Sequence, residues 1–107
     1  MANISDELVE QVWQKAKIVA NNNPNVFRKD YAGAWIRRDQ FGRTDLPYGW
    51  EVDHCKPLSK GGTDDLSNLY PLHWRNNRKK GDDFPNWKTA LTSDGVKNVE
   101  EEFGWHM

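Results

Sequence analysis

The sequence predicts a small α+β fold, and three patterns carry the prediction. Apolar residues recur at helical spacing near the N-terminus, an alternating run ends at His54 and returns beyond Gly61-Gly62, and a short basic segment is stopped by Gly81. Ser5 followed by Asp6 and Glu7 reads as an N-cap with first-turn acids. Leu8, Val9, Val12, Trp13, Ala16 and Val19 then follow a helical repeat, predicting a first helix over about 6–19. Clustered asparagines and Pro24 break it. Residues 26–30 and 34–38, on either side of Gly33, are short strand candidates, and residues 42–49, with Pro47, read as a loop.

Residues 50–54 read as a strand whose side chains alternate in direction, so Asp53 and His54 diverge. Residues 60–65 form a loop with glycines free to take positive φ, and residues 69–72 are the returning strand. Pro71 cannot donate to a ladder, which makes that strand an edge or an irregular one. A short helix over about 73–80 places Asn77 and Lys80 at i, i+3 until Gly81 ends it. Beyond Asp82, a turn folds Phe84 and Trp87 back on the core. Val96, Val99 and Phe103 at helical spacing predict a last, acidic helix. Its run Glu100, Glu101, Glu102 is read as a solvated face, with shielding of the basic surface as the second reading.

At 107 residues the chain allows one compact domain, taken as 1–107, with a single modest core that six tryptophans make aromatic. Trp35 and Trp74, which adjoin cations, are the two set aside as base-stacking candidates. Charged residues make up 29% and mean hydropathy is −0.95, and no apolar run reaches the roughly 18–20 residues of a membrane span. The N-terminus lacks the basic and apolar regions of a secretory signal, and Cys55 is the lone cysteine, so no intrachain disulfide forms and a cytoplasmic location is expected.

The net charge of −1 hides an uneven distribution: residues 28–43 carry +3, residues 53–81 carry +3, and residues 82–107 carry −4. A phosphate backbone responds to local clusters, so Arg28, Lys29, Arg37, Arg38, Arg75, Arg78, Lys79 and Lys80 form a candidate DNA footprint.

Within residues 51–82 an Asp-His pair, Asp53-His54, is followed by Asn68 and then Asn77, with Lys80 three residues on. Together they supply a proton acceptor, hard oxygen donors for a divalent metal and cations for phosphate. Hydrolysing a phosphodiester needs a deprotonated water, a cation on the phosphate oxygens and an in-line hold, and His54 is the natural base because imidazole titrates around neutrality.

Asp53-His54, Pro57, Gly61-Gly62, Asn68-Leu69, and Asn77 followed by Lys80-Gly81-Asp82 resemble the HNH endonuclease family over about a third of the chain. The final position is Asn77 rather than histidine, giving the HNN variant that the HNH domain of the CRISPR-associated nucleases also shows. The resemblance implies a ββα-metal (His-Me finger) hairpin-helix core within about 50–82, flanked by the N-terminal helix, the extended region and a C-terminal helical tail. It implies that the first strand twists at its end so that Asp53 and His54 reach one site. It also implies Asp53 and Asn77 as metal ligands, His54 as general base, and Asn68 as the residue steadying the loop through side-chain to backbone hydrogen bonds. Lys80, with Arg78, Lys79 and Arg75, would meet the substrate phosphates. Two oxygen donors carrying one charge suit Mg²⁺ or Mn²⁺ better than Zn²⁺. The Cys-x-x-Cys pairs that bind structural zinc in many relatives cannot form here. Cys55 is assigned to buried packing, and His73 to packing or hydrogen bonding.

The expected function is a metal-dependent DNA endonuclease leaving a 5′-phosphate and a 3′-hydroxyl. Two rivals stand beside it: a catalytically silent DNA-binding module, and a partner-dependent subunit of a phage or restriction system. One unit holds one metal and cuts one strand per event, so a double-strand break calls for a dimer or two successive encounters.

Overall fold

The computed structural model describes residues 5–106, so residues 1–4 and 107 of the expected domain lie outside the described residues. It is a small mixed arrangement of two helices and four antiparallel strand pairs. Helix α1 spans Asp6–Trp13; β1 (Phe27–Lys29) pairs with β2 (Trp35–Arg37), and β3 (Trp50–His54) with β4 (Leu69–His73). Helix α2, Trp74–Lys80, follows β4 directly. Strands β5 (Asn86–Lys88), β6 (Leu91–Asp94), β7 (Lys97–Glu100) and β8 (Gly104–His106) complete the chain. No helix among the described residues is long and apolar enough to cross a membrane.

Helix α1 is shorter than its apolar repeat predicts. Ser5 caps it by accepting from the Leu8 amide at 3.1 Å. At the other end the Arg28 guanidinium donates to the carbonyls of Trp13, Gln14 and Ala16, satisfying groups that a continuing helix would have used. Lys17 then bridges to Lys29 through both backbone bonds, so the chain is already extended at Ile18, which is exposed. The stop comes from a cation twelve or more residues downstream, and no local pattern records it.

The last acidic helix is also corrected, to strands. Asp94 pairs with Lys97 across a two-residue turn headed by Gly95 at φ +60°, a hairpin geometry that glycine accepts without strain. Val96 sits exposed at the tip, so the valine spacing does not report a buried helical stripe. Residues 101–103 remain extended, with the Glu101 amide donating to Ala90 and the Thr89 amide to Phe103. The turn after Asp82 does bury Trp87, which packs with Ala32 and Leu72 against Tyr31.

The main core is aromatic. Trp13 and Trp50 lie 5.4 Å apart between centroids and Phe41 meets Trp50 at 4.9 Å, with Val12, Ile36 and Leu69 filling around them. Tilted ring pairs of this kind add about 0.5–1.5 kcal/mol beyond their burial. Trp35 belongs to the interior rather than to a stacking surface, because its indole donates to Gly95 and only a small fraction of it is exposed.

A buried polar hub locks the β3-β4-α2 unit to its surroundings. Asp30 accepts from the amides of Ala34 (2.8 Å) and His73 (2.9 Å) and from the Asn76 side chain (3.1 Å), while Asn76 Oδ1 accepts from Ala90 and Leu91. Burial pushes the Asp30 carboxyl up to about 6 against those donors. A carboxyl raised on folding contributes stability at pH below its ordinary range and loses it as pH rises through about 6. The stability difference between the native chain and Asp30→Asn will therefore narrow between about pH 4 and pH 7, as measured by denaturant titration.

Candidate functional site

Strand β3 and helix α2 form the site. The register of β3 on β4 runs from Trp50 opposite His73 to His54 opposite Leu69, so β3 ends where the loop to β4 begins. His73 caps α2 by accepting from the Arg75 amide at 3.1 Å through Nδ1, while Nε2 donates to Pro47. Burial lowers its basicity, which keeps the ring neutral for both bonds. Gly81 ends α2 at φ +52°. Gly49 fixes the entry to β3, since a Cβ there would lie 1.6 Å from the Arg43 carbonyl oxygen.

Asp53, His54 and Asn77 line one cleft of about 260 Å³, together with Val52, Pro57, Leu58, Ser59, Gly81 and Asp82. Asp53 is buried. Lys80 Nζ lies 3.2 Å from its Oδ1, and the Tyr31 hydroxyl donates to Oδ2 at 3.2 Å. Burial raises the Asp53 carboxyl above its ordinary range, and Lys80 and Tyr31 pull it back in part. Tyr31, pushed up by burial and by the neighbouring carboxylate, remains a protonated donor.

His54 meets a residue that the sequence did not single out. Its Nε2 lies 2.7 Å from Asp64 Oδ1. A carboxylate only accepts, so Nε2 carries the proton and Nδ1 is left with the lone pair that a base requires. Glu51 was also missed. Its Oε1 accepts from the Asn77 amide nitrogen at 3.2 Å, which directs the Asn77 carbonyl oxygen away from Glu51 and leaves it free to accept. Burial pushes Glu51 up, but Arg78 and Asn77 outweigh it and hold the carboxyl below its ordinary value. Alternation supplied the available signal, since Glu51 shares a strand face with Asp53. Asp64 had none, being a loop residue ten positions from its partner.

Asn68 closes the β3-β4 loop on itself. Its Oδ1 accepts from the Lys56 amide at 2.8 Å, and its Nδ2 donates to the carbonyls of Lys56 (3.0 Å) and Thr63 (2.8 Å). Cys55 is half-buried beside it, and burial pushes its thiol up.

The basic residues are placed differently from the sequence footprint. Lys80 has a side chain 0% exposed and donates to the His54 carbonyl at 3.1 Å, so it braces the site from beneath and does not reach a phosphate in solution. Arg28 is buried in the α1 terminus. Lys29 lies over the Trp35 ring, Arg37 pairs with Asp39, and Arg38 with Glu10. Arg75 and Lys79, two residues either side of Asn77, lie about 200° round the helix from it. They pair with Glu100 and Glu102 of the C-terminal segment. Arg78 is exposed next to Asn77 and pairs with Glu51.

Among the described residues no group of three or more His, Cys, Asp or Glu is gathered that could hold a metal ion. One carboxylate and one free amide oxygen facing a small polar cleft do fit a hard divalent ion that keeps waters and takes substrate phosphate as further ligands. Asp53 retains lone pairs beyond those used by Lys80 and Tyr31.

Residues 38–83 match one family model, described as HNH endonuclease; the match spans β3, the loop, β4 and α2. No curated protein and no solved structure matches the chain. Nuclease-type activity and nucleic-acid binding are general to that family, and a divalent metal is common in it.

Proposed function

We propose, from the match of residues 38–83 to the HNH endonuclease family model, that the chain is a metal-dependent DNA endonuclease with His54 as general base. The observation that carries the reading is the convergence of Asp53, His54 and Asn77 on one cleft at the strand-helix junction. His54 Nδ1 takes the proton of a water positioned in the cleft, and Asp64 stabilises the ring as it becomes cationic. Asp53 and Asn77 would hold one Mg²⁺ or Mn²⁺. Such an ion, when bound, supplies positive charge to the phosphate and leaving-group oxygens. Glu51 keeps the Asn77 oxygen presented, Lys80 favours the ionised form of Asp53 and holds it in place, and Arg78, exposed and paired with Glu51, would meet a phosphate near the cleft by releasing that carboxylate. The products are a 5′-phosphate and a 3′-hydroxyl.

Supercoiled plasmid incubated with the protein in Mg²⁺, Mn²⁺, Zn²⁺ or EDTA tests the reading. Nicked circles are expected in Mg²⁺ and Mn²⁺ and none in EDTA. Plasmid left intact under every metal while DNA binding is retained would favour a silent binding module.

Asp64 gives a second test, because asparagine keeps an oxygen that accepts from Nε2 and alanine does not. Asp64→Ala should slow cleavage by roughly tenfold to a hundredfold through misplacement of the ring, with Asp64→Asn recovering most of that loss. Equal rates for the two variants would remove Asp64 from the account.

A further inference from the structure

The cations first assigned to DNA are mostly committed elsewhere: Lys80 to Asp53, Arg78 to Glu51, Arg75 to Glu100, Lys79 to Glu102, Arg38 to Glu10 and Arg37 to Asp39. Lys56 and Lys60 behave differently. Both are exposed, and among the described residues neither enters an ion pair or donates a side-chain hydrogen bond. They flank Pro57, Leu58 and Ser59, the three loop residues that line the cleft, and residues 55–62 contain no acid. Leu58 is 52% exposed, an apolar side chain held in solvent at the lip of a polar site.

The loop is ordered before any partner arrives. The amides of Lys60 and Gly62 both donate to the Pro57 carbonyl at 2.9 Å, and Asn68 grips the Lys56 backbone from both sides. Gly62 is pressed so close that a Cβ there would stand 1.8 Å from the Lys56 carbonyl oxygen. A surface already fixed in shape loses little conformational freedom on binding.

We propose that residues 56–60 form the DNA-contacting wall of the cleft, with Lys56 and Lys60 on backbone phosphates and Leu58 against the sugar and base edges of the groove between them. The inference deepens the nuclease reading and rests on it. Two unpaired cations around an exposed apolar residue match the composition that proteins use to track a duplex groove. The cleft then receives the scissile phosphate from the strand that the loop holds.

The experiment measures binding to a short DNA duplex in EDTA, where nothing is cut, across a salt series. Lys56→Gln/Lys60→Gln should weaken binding about tenfold at low salt and flatten the slope of log affinity against log salt by about 1.8, at about 0.9 per lost phosphate contact. Leu58→Ser should weaken binding with the slope unchanged, because the contact it removes is not ionic. The control Lys17→Gln/Lys97→Gln makes the same charge change at two exposed positions outside the cleft lining and should match wild type. Circular dichroism of each variant verifies the fold. Affinity and slope equal to the control for the Lys56/Lys60 variant would overturn the inference while leaving the nuclease reading intact if wild type still cuts. Preferential binding of an RNA duplex through the same two lysines would overturn the assignment to DNA. Wild type that neither binds a duplex nor cuts in Mg²⁺ or Mn²⁺ would end both.

Discussion

His54→Ala will reduce metal-dependent plasmid nicking by about 10²–10⁴-fold, the contribution of a positioned base, while duplex binding in EDTA stays close to wild type. The separation follows from the geometry. Among the described residues the ring's side-chain hydrogen-bond partner is Asp64, an exposed loop carboxylate, so removing the ring frees that carboxylate and breaks no other side-chain hydrogen bond. The backbone role of residue 54 persists in the variant, because Lys80 donates to its main-chain carbonyl. Single-turnover nicking in saturating Mg²⁺, beside a duplex-binding titration, checks the result. Nicking unchanged in the variant would remove His54 from the chemistry, and a fall in binding equal to the fall in rate would make it a contact residue.

Lys80→Met will destabilise the fold by about 3–5 kcal/mol and abolish cleavage, since it leaves the Asp53 carboxylate buried without its cation. The penalty belongs to the broken pair rather than to lost packing, because methionine retains most of the lysine stem. The double variant Asp53→Leu/Lys80→Met therefore distinguishes the two causes. Removing both charges should restore most of the stability, as apolar replacement of buried pairs commonly does, yet leave no nicking because the carboxylate proposed as a metal ligand is gone. Urea titrations of wild type, both singles and the double close the cycle. A single Lys80→Met variant as stable as wild type would mean that the pair is not held as described, and a double variant no more stable than the single would assign the loss to packing.

These two residues mark where the sequence was readable. The unit from β3 to α2 fell where expected because its signals are local: alternation over 50–54, the Gly61-Gly62 loop, and a basic helix stopped at Gly81. Lys80 was found by the same spacing but given a surface role. Helical position alone does not show that the side chain turns inward beneath Asp53, a partner 27 residues earlier on another element. The pairing of the basic residues was hidden for a related reason. Charge counts along the chain do not record that Glu10, Glu51, Glu100 and Glu102 are folded back onto those same cations. The C-terminal strands were obscured because Val96 and Val99 fit a helical spacing as well as a hairpin, and the deciding residue, Gly95, lies between them and the preceding strand. Asp30 and Asn76, each a single polar residue in an unremarkable run, become a hub only once β4, α2 and β6 meet around them.

Arg75 and Lys79 secure the C-terminal segment on the side of the helix away from Asn77, which leaves the cleft bounded by residues 57–59, Asn77, the Gly81-Asp82 turn and the end of β3. The charges of residues 100–102 therefore need not oppose a duplex that enters from the loop side. Exposed pairs of this kind contribute little each, so the strand ladders hold the segment.

The most direct measurement is anomalous diffraction from crystals soaked in Mn²⁺. The account predicts one strong peak in the cleft, within coordinating distance of an Asp53 carboxylate oxygen and the Asn77 carbonyl oxygen and on the side of His54 away from Asp64. A peak confined to other carboxylates, or no peak at millimolar Mn²⁺ while Asp53 and Asn77 keep their present partners, would contradict it.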